Sequence, residues 1–195
     1  PHLFERACQD AGQPLNLLRH PAWGRAQETY GEDTFHVGEM GVALTRGVQE
    51  SNRVIACVKH FALNSMENAR FQVDVRVDER ALHETYLQHF ERIIKHGRAK
   101  SVMTAYNSVN GSFCGVNRAL LTDVLRNKWG AHDVFTVSDF VFGVRGPAAV
   151  AVAAGLDVEM PFANSFARDL PGDVDAGRVS RDVLERAATR VLTQV

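Results

Sequence analysis

Val134–Phe140, VFTVSDF, is a short apolar run that stops on a polar Ser138, an acidic Asp139 and an aromatic Phe140. β-favouring residues ending on a carboxylate predict a buried strand that delivers Asp139 to its open end. In barrels of alternating strands and helices, catalytic side chains sit at the C-terminal ends of the strands, where the following loops build the site. Asp139 is therefore the first candidate for chemistry, with a helix cap at a strand-to-helix turn as the alternative role.

Working outward, short apolar runs at Leu15–Leu18, Val54–Val58, Ser101–Ala105 and Leu156–Val158 predict further strands. Helix-length segments separate them. In the clearest, Asp78 caps the start, Leu82, Tyr86, Phe90 and Ile93 or Ile94 recur at helical spacing, and Gly97 stops it. Asn117 precedes Leu120, Leu121, Val124 and Leu125 with Gly130 beyond, and Ser180 precedes Val183, Leu184, Ala187 and Val191 with the same periodicity. The Pro-Gly-Asp stretch at 171–175 predicts a loop before that last helix. The alternation predicts an α/β fold with a parallel sheet. Five strands do not close an eight-stranded barrel, which needs about 250 residues. The expectation is an open sheet or one part of a larger barrel, without repeat, linker or low-complexity tract.

Composition narrows the function. The chain has 195 residues, is 45% hydrophobic and 23% charged, and so can bury one globular core. A net charge of -1 without a basic run lacks the electrostatic footprint of a nucleic-acid or anionic-membrane binder, and neither partner is expected. No apolar run approaches the ~20 residues of a membrane span, and the first residues lack the pattern of a secretion signal. The start on Pro1 rather than Met leads to the expectation that the natural N-terminus lies upstream. Cys8, Cys57 and Cys114 are odd in number and widely spaced, which gives neither a disulfide framework nor a metal knuckle and leaves the compartment open.

Polar residues gather at the strand ends. Arg19-His20-Pro21 and then WGRAQETYGED (23–33), with Arg25 and Glu28, follow the first strand. Lys59-His60 follow the second, with Asn64, Glu67 and Arg70 soon after. Tyr106-Asn107 follow the third, ahead of an Asn110-Gly111 tight turn, and Asp139 follows the fourth. A carboxylate among Arg, Lys, His and Tyr, with no phosphate-cradling glycine loop, suits a neutral polyhydroxylated substrate such as a sugar. Retaining glycoside hydrolysis uses one carboxylate to attack the anomeric carbon and a second group to protonate the leaving oxygen. Neighbouring Lys59, Arg25 and Arg70 are expected to hold the Asp139 pKa down.

The segments WGRAQETYGED, KHFALNSMENAR, VDERALHETYLQHFE, SVMTAYNSVNG, LLTDVLRNKWG, VSDF and AGLDVEMP, in this order, resemble the N-terminal domain of glycoside hydrolase family 3. The resemblance runs from about Pro14 to the end of the chain. It implies a (β/α)8 TIM-barrel-type domain, incomplete here with its N-terminal strands missing, so that residues 1–195 form part of one barrel. It also implies a β-glucosidase or β-xylosidase type enzyme that acts on a β-linked oligosaccharide or glycoside through a covalent intermediate, with no cofactor.

By that resemblance Asp139 is the nucleophile. Lys59 and His60 bind sugar hydroxyls, and Arg25, oriented by Glu28, and Arg70 join them. Tyr106 lies beside the nucleophile, and Phe140 replaces the family's tryptophan, keeping an apolar ring and losing the indole N–H. The resemblance places one further sugar-binding aspartate upstream of residue 1 and the acid/base in a second domain beyond the barrel. One subgroup carries a His-Asp dyad after a Lys-His-Phe-Pro-Gly-His signature, from which KHFALN departs.

Plainer roles stand beside these. Arg25 with Glu28 is also a loop-fixing ion pair, Tyr106 a packing ring, and Lys59 and His60 a solvated end and a core histidine. Asp157 and Glu159 are expected to make structural hydrogen bonds or sugar contacts, and Cys57 to be an inert core thiol. A metal site is not expected. The histidines form no HExxH-like pattern, and His83, Glu84 and His89 are expected on the solvated side of their helix. The alternative to an enzyme is a catalytically incomplete or degenerate sugar-binding module.

Overall fold

The computed structural model describes residues 12–51, 53–162 and 164–194. In chain order the elements are β1 (Gly12–Pro14), α1 (Thr34–Gln49), β2 (Cys57–Phe61), β3 (Asp74–Val75), a helical rod α2 over 79–97, β4 (Ser101–Thr104), β5 (Ser108–Val109), β6 (Ser112–Phe113), α3 (Ala119–Lys128), β7 (Phe135–Val137), α4 (Ala148–Ala154), α5 (Asn164–Asp175) and α6 (Arg181–Gln194). The main sheet has the order β1-β2-β4-β7. Every pairing in it is parallel. A single parallel bridge from Val137 to Val158 extends the same edge. Strands thus follow one another in sequence order with helices between them, the arrangement of successive βαβ units. Among the described residues the sheet does not close on itself.

A second, small sheet, β3-β5-β6, stands beside the strand ends. Its β5–β6 hairpin turns on Asn110 (φ 50°) and Gly111 (φ 93°), the left-handed pair that an Asn-Gly turn supplies.

Two strands lie elsewhere than the sequence predicts. The first ladder is at Gly12–Pro14 rather than Leu15–Leu18. Leu15 and Leu17 are fully buried, but after Leu15 N donates to Lys59 O the chain leaves the sheet, and Leu18 N donates to Gly31 O. Apolarity marked burial there, not pairing. The second ladder is at Cys57–Phe61 rather than Val54–Val58, so Lys59 and His60 lie within the strand and not past its end. His60 is tolerated because Asn16 satisfies its backbone reciprocally: His60 N donates to Asn16 Oδ1 at 3.1 Å, and Asn16 Nδ2 donates to His60 O at 2.9 Å.

Helix starts follow the capping residues. Asp33 accepts from His36 N at 2.6 Å, Asp78 from Ala81 N at 2.9 Å and Asn117 from Leu120 N at 3.2 Å. The stop of α2 differs from expectation. The left-handed residue is Arg98 (φ 56°), whereas Gly97 makes room for α1, because a Cβ on it would stand 3.2 Å from Thr45 Cβ. The rod contains two π-helical stretches, Leu82–Tyr86 and Ile93–Gly97. The first changes the helical phase. As a result His89 turns inward, 1% exposed, instead of joining the solvated side, and its Nδ1 meets Thr34 Oγ1 at 3.1 Å. Burial lowers its pKa to about 4.

The expected loop at 171–175 is helical, with Pro171 inside α5. Leu170 packs with Ala148, Val152, Val179 and Ala187, joined by Phe166 and Val174, so the apolar stripe holds the helix across a residue that interrupts its bonding.

Each face of the sheet is covered differently. Val58, Phe61 and Val102 pack with Phe90, Ile93, Leu121 and Leu125 of the helices. Cys57, Met103, Phe135, Val137 and Met160 form a separate cluster, against which Phe140 packs. Cys57 and Cys114 are buried thiols, and Cys8 lies outside the described residues.

Candidate active site

The sheet gathers Asp139, His60, Arg25 and Tyr106 at one end. Asp139 follows β7 by one residue, and the intervening Ser138 is tied to the next segment: Ser138 N donates to Val158 O at 2.9 Å, and Met160 N donates to Ser138 Oγ at 2.9 Å. This fixes the base of the turn that carries the carboxylate. Its two oxygens are treated differently. Oδ1 accepts from Phe140 N at 2.7 Å, whereas Oδ2 has no hydrogen-bond partner and stands 3.4 Å from His60 Nε2 without hydrogen-bond alignment.

Asp139 is only 7% exposed. Its pKa is raised, first by burial; the Phe140 N–H, Tyr106, Lys59 and Arg25 all oppose that rise without cancelling it. The expectation that cations hold this pKa down is therefore corrected. They act in the expected direction, and desolvation outweighs them.

His60 is fully enclosed, and burial, then Arg25, Lys59 and Arg70, push its pKa well below the ordinary imidazole range. It is neutral, and Arg25 Nη1 lies 3.2 Å from its Nε2. Arg25 is also clamped by Glu28, with Nε donating to Oε1 at 2.8 Å and Nη2 to Oε2 at 2.5 Å. The loop-fixing ion pair and a place beside Asp139 thus coexist in one side chain. Lys59 adds charge to the same site, acting on Asp139, His60 and Glu28.

Arg70 pairs with Glu67 at 2.9 Å and stacks over the Tyr106 and Phe71 rings, each 4.9 Å from its guanidinium carbon. Tyr106 OH donates to Phe140 O at 2.6 Å. Burial, followed by the Asp139 charge, raises its pKa above the phenol range, so it stays protonated. Tyr106 and Phe140 therefore brace the carboxylate turn from both of its backbone groups. The Phe140 ring packs against the cluster beneath the sheet, while Phe142 is the ring that stands exposed, 58%, against the edge of Phe71.

Several contributors have weak sequence signals. Asn16 interrupts an apolar run, which is a usable signal, since Asn is depleted from strands. Asn64 is 1% exposed with neither amide atom bonded. Gly143 has none at all, although a Cβ there would lie 2.3 Å from the Asp139 carbonyl oxygen.

Asp157 and Glu159 do not face this site. Asp157 receives Arg126 at 3.1 Å, Arg190 at 2.7 Å and Thr136 N at 2.8 Å. Glu159 Oε2 accepts from Ser165 N and Phe166 N, each at 2.8 Å, at the start of α5. Both serve structure. Among the described residues no group of three or more His, Cys, Asp or Glu side chains is placed to hold a metal ion, and no helix is long and apolar enough to cross a membrane.

Chemically, the arrangement presents one carboxylate oxygen without a hydrogen bond, almost wholly buried and edged by hydrogen-bonding cations. The family model described as "Glycosyl hydrolase family 3 N terminal domain" matches residues 14–194. Thermostable beta-glucosidase B of Acetivibrio thermocellus is 42% identical over 182 residues, covering 93% of this chain and 24% of that protein. An exo-alpha-(1->6)-L-arabinopyranosidase of Bifidobacterium breve is 35% identical over 98% of this chain and 25% of its own length. Beta-glucosidase 3B from Thermotoga neapolitana, solved in complex with glucose, superposes with a TM-score of 0.85 at 36% identity over 94% of this chain and 26% of that one. The chain spans about a quarter of the length of these relatives.

Proposed function

The chain belongs to glycosyl hydrolase family 3 through that family's N-terminal domain, and on this premise we propose that it supplies the nucleophile and most of the sugar-binding wall of a retaining, exo-acting β-glucosidase-like hydrolase. The reading rests on the Asp139 carboxylate, with Oδ1 anchored by Phe140 N–H and Oδ2 left without a hydrogen bond. A nucleophile needs one oxygen held for aim and the other free to attack.

In this mechanism Asp139 Oδ2 attacks the anomeric carbon as the glycosidic bond breaks, and a group outside the described residues protonates the leaving oxygen. Water then cleaves the glycosyl ester. Arg25, Lys59, neutral His60 and Arg70 bind hydroxyls of the terminal sugar, and bonds that tighten as the ring approaches an oxocarbenium ion lower the barrier. The partly desolvated carboxylate contributes to that barrier reduction, since attack spreads its charge. The described strands form one arc of a (β/α) barrel, which the rest of the protein completes together with the domain carrying the acid/base. Substrate class follows the relatives: β-glucosides first, with β-xylosides and α-L-arabinopyranosides as further candidates.

The test uses the full-length protein, wild type and Asp139→Asn, assayed on aryl β-glucoside, β-xyloside and α-L-arabinopyranoside, with mass spectrometry after a 2-fluoro-sugar trap. Activity in the wild type, its loss in the variant and a label on the Asp139 peptide are expected. Undiminished turnover in the variant overturns the nucleophile, and a wild type with neither turnover nor label leaves a sugar-binding module.

A further inference from the structure

Between α3, α4 and α6, beside the start of β7, lies a cavity of about 480 Å³ whose wall carries Arg118, Arg126, His132, Arg186 and Arg190 against a single carboxylate, Asp133. Arg126 and Arg190 both bond the one buried Asp157, through Arg126 Nη2 at 3.1 Å and Arg190 Nη2 at 2.7 Å. Two guanidinium groups thus share one negative charge. Arg126 is 6% exposed; its Nη1 donates to Ala131 O at 2.8 Å and to Val134 O, and only its enclosed Nε has no hydrogen-bond partner, which is costly for a buried charged donor. Burial, the largest influence, lowers its pKa to about 10, the direction expected of a cation short of counter-charge.

At the rim, Arg118 reaches its nearest carboxylate, Asp123, only at 3.9 Å. Exposed Arg186 takes part in no hydrogen bond or ion pair found among the described residues. Val152, Ala153 and Val183 form the aliphatic part of the remaining wall, and Thr122, Thr189 and Thr193 its polar part. We propose that this cavity binds a phosphate oxyanion, free or as the monoester of a small molecule, on the guanidinium groups of Arg118 and Arg186, with the positive charge of Arg126 behind them. Its volume falls in the range of small-molecule sites and exceeds what inorganic phosphate fills, and the aliphatic wall suits the carbon skeleton of a monoester. Planar guanidinium forks match phosphate geometry. Asp133 opposes the charge of the ligand and sets a limit on affinity. Because the cavity lies at the start of β7 and Asp139 beyond its end, this site is separate from the proposed sugar site, and its occupation does not depend on the reaction assigned there.

The test is isothermal titration of the full-length protein at low salt with glucose 6-phosphate, inorganic phosphate and glucose. Wild type is compared with Arg118→Ala/Arg186→Ala, two exposed positions whose loss spares the core, and with Asp133→Asn. The expected result is saturable binding of a phosphate-bearing probe, at least about tenfold weaker in the double variant and tighter in Asp133→Asn, with glucose binding equal in all three proteins. Binding of both phosphate probes identifies the free oxyanion as sufficient, and binding of glucose 6-phosphate alone identifies the monoester. No saturable binding of either, or an affinity unchanged in both variants, overturns the proposal, whatever the outcome of the hydrolysis assays.

Discussion

Gly143 lies so close to Asp139 that a Cβ built on it would stand 2.3 Å from the Asp139 carbonyl oxygen and 2.6 Å from its amide nitrogen. Gly115 lies behind in turn, where a Cβ would stand 2.2 Å from Gly143 O. The carboxylate turn is therefore stacked, backbone on backbone, against two residues that must lack side chains. Backbone cannot move aside as a flexible side chain can, so Gly143→Ala is expected to destabilise the protein by about 1–3 kcal/mol. It also displaces Asp139. Thermal melts with kinetics on the remaining folded protein check this, and an unchanged melting temperature and kcat would sink the argument.

Asp139 carries a cost to stability that follows from its raised pKa. In the unfolded chain the carboxyl titrates near 3.8. Below that value it is protonated in both states and costs nothing, and as pH rises through the higher folded pKa the ionised form is held against its preference for water. Stability contributed by this residue is thus lost as pH rises. Asp139→Asn is expected to melt higher than wild type at pH 7, with the gain shrinking to nothing below about pH 3, while activity falls at least about 10³-fold. A variant that melts lower at pH 7 would contradict the desolvation account. The acid limb of the wild-type kcat/KM profile should lie above the ordinary carboxylate range.

Besides its direct electrostatic influence on the carboxylate, Tyr106 acts on Asp139 through Phe140. Its hydroxyl donates to Phe140 O at 2.6 Å, while Phe140 N holds Asp139 Oδ1 at 2.7 Å. Tyr106→Phe leaves that carbonyl unpaired and is expected to cost about 1–3 kcal/mol. The ring stack with Arg70 and Phe71 survives in the variant. A fall in kcat with KM nearly unchanged is the expected kinetic signature of lost aim, and a rise in KM alone would assign Tyr106 to binding instead.

Asp157 is buried under Arg126 and Arg190 and also accepts Thr136 N. Removing its charge strands two guanidinium groups beneath the surface. Asp157→Asn is expected to lower unfolding free energy by about 3–5 kcal/mol, read as a reduced denaturant midpoint with the m-value unchanged. A loss below ~1 kcal/mol would mean that the pair is effectively solvated.

The sequence by itself determined what local chemistry can encode. The caps at Asp78 and Asn117, the Asn110-Gly111 turn and the strands around Ser101–Thr104 and Phe135–Val137 all form where residue type and spacing put them. The same is true of the motifs that resemble the family, because side-chain type and order are properties of the chain alone. Tertiary structure decided the rest. The first two ladders moved because apolar residues report burial and say nothing of which backbone groups pair. His89 turned inward because a π-helical stretch, invisible to a 3.6-residue period, rotated the helix beyond it. Pro171 stayed helical because Phe166, Leu170 and Val174 share one apolar seam with α4 and α6. The Asp139 pKa rose despite the nearby cations Lys59 and Arg25 because desolvation depends on everything packed around a group, and burial is a sum over distant segments that no local stretch contains.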